Sequence, residues 1–551
     1  MSDDGSTRRW RRVGGASIVE RRGASSGTEA EAPLCPGQPA SVWTRTTAFR
    51  RRRLRRQAIV VAFALSVLAW IPSPARAKAA SLPAGPAPPA PTTTTLTTPV
   101  LSIRRVPTFV AASVATEHLG ASLVKILTNP ALHVSGAQSC VQVTQDGRTL
   151  FSAQPNQELL PASNLKLLTA TAALDKLGPD SRIVTPVETA SAPVNGVISG
   201  NLYLVGAGDP ILRTADFVAS LTHPEPLFTS LDQLAAQVKA AGVTRIEGSI
   251  VADESRYDSA RAGAGWKPSY LADGVVGPLS AVDIDDGFGS FIGGDVASPQ
   301  PAALAAARFR NALVAAGVRV VGTPSTGTAP AGAVSLTSIA SPPLADVLGA
   351  VLRTSDDTGA ELITKELGLR FGTGGTTAAG VAVIRADVTA DGLPVAQLQA
   401  ADGSGLDRAD RATCALMAAT LTRAGSAGAL ASTLAVAGRS GTLTRRMVGT
   451  PAAGRVIAKT GTLDDVSALS GFVLAPGTPT TALPPTTGPP ATGASGTGSS
   501  RSPLVFSLIE NGVPAYTSGQ AIGDQIAEAL AGYPAGPAPA ELGPLPVTPV
   551  P

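Results

Sequence analysis

The sequence predicts a protein of the α/β class, of the α+β kind. An antiparallel sheet is flanked by N- and C-terminal helices, an all-helical cluster lies beside it, and one or two smaller β-rich domains are inserted. Three observations carry this expectation. Strand-like runs stand at 140–143 and 149–151 and again at 468–474 and 504–509, near the two ends of the ordered region. Helical patterns recur at 163–177, 343–353, 358–369 and 521–531. Between about 183 and 335, strand-like runs such as 200–205 and 246–251 alternate with helices at 231–241 and 302–316.

Residues 140–143 and 149–151 read as strands joined by a turn at Asp146-Gly147. Pro161-Ala162 then leads into a helix from 163 to 177 that Gly178 ends. Ser163 falls in its first turn, where free N–H groups and the positive dipole end favour a developing oxyanion. Residues 455–463 are strand-like, and the strands at 468–474 and 504–509 pair as a hairpin around a Thr-, Pro-, Gly- and Ser-rich loop at 476–503, expected to be disordered. The ordered body thus divides into 107–182 and 336–533, with 183–335 inserted.

At 551 residues the chain has room for two to four domains, at roughly 100–200 residues each. A hydrophobic fraction of 44% with 15% charged residues fits a soluble globular body. The net charge of +4 is misleading, because residues 1–77 hold fourteen arginines against five acids and the remainder is acidic. Nucleic-acid binding has no support on that distribution. The basic run 50–56, the apolar stretch 58–71, Pro72 and Ala75-Arg76-Ala77 together read as a signal peptide over 58–77. An uncleaved anchor is the alternative, and 14 apolar residues are short for a span of about 20. Residues 1–57 are either a disordered leader or the product of a mis-assigned start, 78–106 a Pro/Ala/Thr linker, and 534–551 a Pro-rich tail. An exported, extracytoplasmic protein follows, in the cell wall or periplasmic space, with membrane anchoring as the alternative to release. Cys35 belongs to the leader, which leaves Cys140 and Cys414 able to form one disulfide in an exported protein; spacing leaves that open.

Only eight of the 44 basic residues are lysine, so a lysine beside hydroxyl groups is informative. Arginine stays charged, whereas a partly buried lysine can become neutral and accept a proton. Ser163 and Lys166 are spaced i, i+3 and share a helix face, as an activated nucleophile and its base would. Ser355-Asp356-Asp357 precedes a helix and doubles as an N-cap pattern. Lys459-Thr460-Gly461-Thr462 lies in a strand, where a glycine marks close approach by another backbone and a cationic lysine suits a carboxylate. Three scattered histidines and two remaining cysteines offer no metal-ligand spacing, and no cofactor is expected.

The order of these motifs, with 192 residues between Ser163 and Ser355, resembles the penicillin-recognising serine enzymes. Within them the chain is similar to the D-alanyl-D-alanine carboxypeptidase/endopeptidases, low-molecular-mass penicillin-binding proteins with domains inserted between the first two motifs. Stretches 161–168, 200–210, 277–281, 402–406 and 440–443 support the likeness, which runs from about 107 to 533. The resemblance implies a serine transpeptidase-like fold. It implies a Ser163 acyl-enzyme with Lys166 as base, and Ser355 relaying a proton to the leaving amine. Lys459, Thr460, Gly461 and Thr462 would hold the substrate carboxylate, with N–H groups of Ser163 and Thr462 as the oxyanion hole. Ser404, Arg408 and, more loosely, Asp253 would recognise a diaminopimelate-type stem peptide. Peptidoglycan stem peptides are the implied substrate and β-lactams the implied inhibitors. One departure stands out: the family triplet ends in Asn, and here it ends in Asp357. An ionised Asp can only accept hydrogen bonds and would hold Lys166 as an ammonium unless it is protonated or turned away. The competing expectations are a catalytically weak or silent wall-binding protein, or a β-lactamase or esterase on the same fold.

Overall fold

A computed structural model describes residues 106–478 apart from 133, 224 and 293, together with 502–535 and 537. The expected leader, signal peptide, nearly all of the linker, most of the 476–503 loop and most of the tail lie outside the described residues.

The chain enters with helix α1 (Val106–Leu127), the hairpin β1 (Gln138–Gln145) and β2 (Arg148–Ala153), and helix α2 (Lys166–Leu177). The hairpin turns at Asp146 and Gly147, both at positive φ, the geometry that matches strand twist and that Asp-Gly accepts readily. Next come β3 (Val184–Thr189), β4 (Leu202–Val205), α3 (Leu231–Ala240), β5 (Ile250–Asp253), α4 (Pro301–Ala315), β6 (Ser325–Thr326) and β7 (Val334–Ala340). Helices α5 (Leu344–Thr354), α6 (Asp357–Phe371), α7 (Thr377–Ala390) and α8 (Cys414–Ala424) follow. Strands β8 (Ala435–Val436), β9 (Val456–Leu463), β10 (Val466–Val473) and β11 (Leu504–Asn511) then lead to α9 (Gln520–Ala531).

The main sheet runs β8-β9-β10-β11-β1-β2, antiparallel throughout, so the first strands of the chain complete a sheet begun by the last. Period-two alternation divides its faces. Ala468, Phe472, Val505 and Ile509 join Leu168 of α2 and Met417 and Leu421 of α8. Leu469, Phe506 and Leu508 meet Leu119 and Leu123 of α1 and Ile522, Ile526 and Leu530 of α9. Burying each Leu, Ile, Val, Phe or Met side chain among these contributes about 1.5–3 kcal/mol, and apolar residues accordingly occupy both faces of β10 and β11. Helix α1 is apolar enough over Phe109–Leu127 to cross a membrane by length and composition, and it places Leu119 and Leu123 in this core. Cys140 of β1 and Cys414 of α8 are joined by a disulfide, their Cα atoms 5.8 Å apart, which resolves the pairing that spacing left open.

Segment 183–335 builds a second core from Val187, Leu204, Leu234, Val238, Phe309 and Leu313. The five-stranded sheet around it runs β6-β5-β4-β3-β7, and β7 carries it on to Ala340, past the expected boundary at 335. Strands β4, β5 and β6 are parallel, with α3 and α4 as crossovers, while β3 and β7 are antiparallel. Parallel neighbours need such crossovers, so the alternation of strands and helices visible in the sequence carries this arrangement.

Candidate active site

Ser163 lies in a 3-10 turn, Ala162–Leu165, that runs directly into α2. Asn164 anchors the turn to the sheet, donating from Nδ2 to Ser470 Oγ of β10 at 2.8 Å. Gly405, at φ +88°, packs against the carbonyl of Ala162, where a Cβ would collide with backbone. Gly461 of β9 also passes close, since a Cβ there would stand 2.8 Å from the Pro161 carbonyl. Glycine in this strand therefore does mark the approach of another backbone, and it is the nucleophile turn that approaches.

Lys166 opens α2 and is fully buried. Its Nζ donates to Ser163 Oγ at 3.1 Å, to the Ser404 carbonyl at 2.8 Å, and to Asp357 Oδ1 in a short ion pair. Asp357 is thus turned toward Lys166, which removes one of the two escapes the sequence left for it. Burial pushes the Asp357 carboxyl up, and the Lys166 charge only partly opposes that.

Ser355 caps α5 in the left-handed conformation, φ 64° and ψ 35°. Lys459 Nζ donates to Ser355 Oγ at 2.8 Å and to the Thr460 carbonyl at 2.7 Å. Burial, followed by repulsion from Lys166, lowers Lys459 well below its ordinary 10.5. The lysine expected to hold a carboxylate is therefore one whose charge its buried surroundings oppose. The Thr460 and Thr442 hydroxyls are 2.9 Å apart, and Thr462 is the half-exposed position of an otherwise buried β9.

The three candidates for side-chain recognition divide. Arg408 stays at the surface in a two-pronged ion pair with Asp465, 2.8 and 2.9 Å, at the β9–β10 turn. Ser404 is fully buried, its Oγ donating to Asp402 Oδ2 at 3.2 Å. Asp253 ends β5, and its two oxygens accept from Ser255 N at 2.9 Å and Ala329 N at 2.7 Å.

Two supporting acids escaped the sequence reading. Glu361, one helical turn after Asp357, accepts from the N–H groups of Gly403 and Ser404, both at 2.8 Å, and so orients the carbonyl that binds Lys166. Burial and the neighbouring Asp402 push Glu361 up to about 8. Asp402 accepts from Gly405 N, Asp407 N and Trp266 Nε1 at 2.7–2.8 Å. The i, i+4 spacing of Asp357 and Glu361 was the available signal. Among the described residues, Asp175, Asp387 and Asp391 form one acidic cluster close enough for a cation, paired with Lys176 and Arg423 and belonging to none of the motifs.

A buried serine bonded to a buried lysine, with a second serine–lysine pair beside the same turn, defines an acyl-transfer site of the serine-hydrolase type. The sequence pattern of the D-Ala-D-Ala carboxypeptidase 3 (S13) family matches residues 119–291 and 292–533. The chain belongs to that family and is a serine-type enzyme of it. It is 31% identical over 430 residues to a D-alanyl-D-alanine carboxypeptidase of Actinomadura sp. (strain R39), covering 64% of this chain and 77% of that one. It is 27% identical over 377 residues to a carboxypeptidase of Mycobacterium tuberculosis, covering 66% and 77%. Its fold is similar to penicillin-binding protein 4 of Haemophilus influenzae, with TM-score 0.58, 21% identity, and 74% of this chain against 98% of that one covered.

Proposed function

We propose that the protein is an exported D,D-peptidase that removes or opens D-Ala-linked ends of peptidoglycan stem peptides, with Ser163 as nucleophile. The observation that carries this is the 3.1 Å bond between Ser163 Oγ and Lys166 Nζ at the start of a buried helix. In this reading Lys166, once neutral, takes the Ser163 proton as Oγ attacks the D-Ala carbonyl. Ser355 passes a proton to the departing amine, and water then hydrolyses the ester. Backbone N–H groups of Ser163 and Thr462 stabilise the oxyanion, and losing one such donor costs about 10²–10³ in rate. Lys459, Thr460, Gly461 and Thr462 receive the terminal carboxylate, which places a counter-charge directly on buried Lys459. Arg408, exposed at the rim, is the residue left to meet the stem-peptide side chain. Ser404 acts through its carbonyl and Asp253 through the loops its carboxylate ties together. β-Lactams, which present a carboxylate and a strained acyl group, acylate the same serine. Segment 183–335 is an insertion into a peptidase domain formed by 107–182 and 336–533, and catalysis takes place outside the cytoplasm.

Incubation with purified muropeptides tests the reading, with Ser163→Ala as control. Release of terminal D-Ala or splitting of cross-linked dimers by the wild type alone is the expected result. Neither product from a folded wild type would sink it, and rapid β-lactam turnover would favour a β-lactamase.

A further inference from the structure

The second motif is held from outside the peptidase sheet. Within residues 353–358, three side chains are gripped by segment 183–335. Arg353 pairs with Glu225 at 2.7–3.1 Å, Asp356 with Arg213 at 2.9 Å, and Thr358 Oγ1 accepts from Gly277 N at 2.8 Å. Arg213 is the central member. Its buried guanidinium also donates to both oxygens of Asp286, at 3.0 and 3.2 Å, and lies over the Phe217 ring. Asp356 in turn caps α6, accepting from Gly359 N at 2.8 Å. It stands between Ser355, whose left-handed backbone is uncommon for a residue with a side chain, and Asp357, which meets Lys166. A buried cation fixed to a second acid offers Asp356 one position, and with it sets where Ser355 and Asp357 point.

We propose that Arg213 is a positioning residue for the reaction: by pairing with Asp356 it holds Ser355 Oγ on Lys459. The inserted segment is then part of the catalytic apparatus, which gives a reason for a fold that places it between the first two motifs. The proposal rests on the reading above in which Ser355 carries the leaving-group proton.

The test measures acylation of the full exported chain by a fluorescent penicillin, separating the rate at saturation from the dissociation constant before acylation. Arg213→Met is expected to slow the saturating rate about 10–100-fold, the size of effect a small misplacement produces, and to leave the dissociation constant within about threefold. Arg213→Lys restores most of the loss. Asp356→Asn keeps the cap, because Asn caps a helix as well as Asp does, but loses the ion pair and slows acylation to a similar extent. The double variant Arg213→Met/Asp356→Asn is no slower than the slower single. Rates within twofold of wild type in folded Arg213→Met or Asp356→Asn overturn the proposal. So do losses that multiply in the double variant, or a failure of lysine to rescue. If Arg213→Met does not fold, Asp356→Asn decides alone. Ser355→Ala separates the two levels: wild-type acylation in that variant refutes the site reading, whereas slowed acylation there with an unaffected Arg213→Met refutes this proposal alone.

Discussion

Asp357→Asn should speed acylation of Ser163. The carboxylate contacts Lys166 Nζ directly, so Lys166 can accept the serine proton only by first giving up a proton that this anion holds. Two unit charges about 4 Å apart attract by about 4 kcal/mol at an effective dielectric near 20. Burial already works against the ionised form of Asp357, and an amide keeps part of the attraction through its oxygen, so roughly half of that is recoverable. A gain of about 2 kcal/mol corresponds to about 30-fold in rate. The assay is stopped-flow acylation by a fluorescent penicillin between pH 6 and 9, with Ser163→Ala as blank. Unchanged or slower acylation would refute the reasoning. Stability gives a second readout. A carboxyl raised above its ordinary 3.8 by folding contributes fully below that value and loses its contribution as pH rises through the raised one. The Tm difference between variant and wild type should therefore move in the variant's favour as pH increases.

Two further outcomes are expected. Lys459 is lowered by burial and by Lys166, so above its lowered value a carboxylate ligand must bring a proton with it. Affinity for a penicillin before acylation should then fall with rising pH, by about tenfold per unit at the limit, while the penicillin methyl ester shows no such slope; equal slopes for acid and ester would sink this. The Cys140–Cys414 bond ties β1 to α8 across 274 residues of sequence, so replacing both by Ser should cost about 2–5 kcal/mol. Urea unfolding of the oxidised protein and the double variant measures it, and coincident midpoints would contradict the estimate.

What was legible in the sequence was local. A hydroxyl and an amine three positions apart on one helix must share a face, so Ser163 and Lys166 could be paired before any fold was known. The Asp146-Gly147 hairpin and the glycine of β9 were legible for the same reason, since each reflects a backbone geometry few residues allow. Order and spacing of the three motifs then identified the family.

Whether Asp357 turns toward Lys166 or away was beyond such reasoning, because α2 and α6 meet only through the packing of distant elements. The same holds for Glu361 beneath the Ser404 loop, for Asn164 on Ser470, and for the grip of Arg213 on Asp356. The charges of the two lysines show the division most clearly. Composition singled them out, but which of them has a counter-ion depends on through-space distances of a few ångströms. Sequence therefore singled out the candidate reacting groups, while tertiary structure alone decided their partners and aim. Electrostatic energy in a buried site falls off with distance in space, to which separation along the chain is no guide.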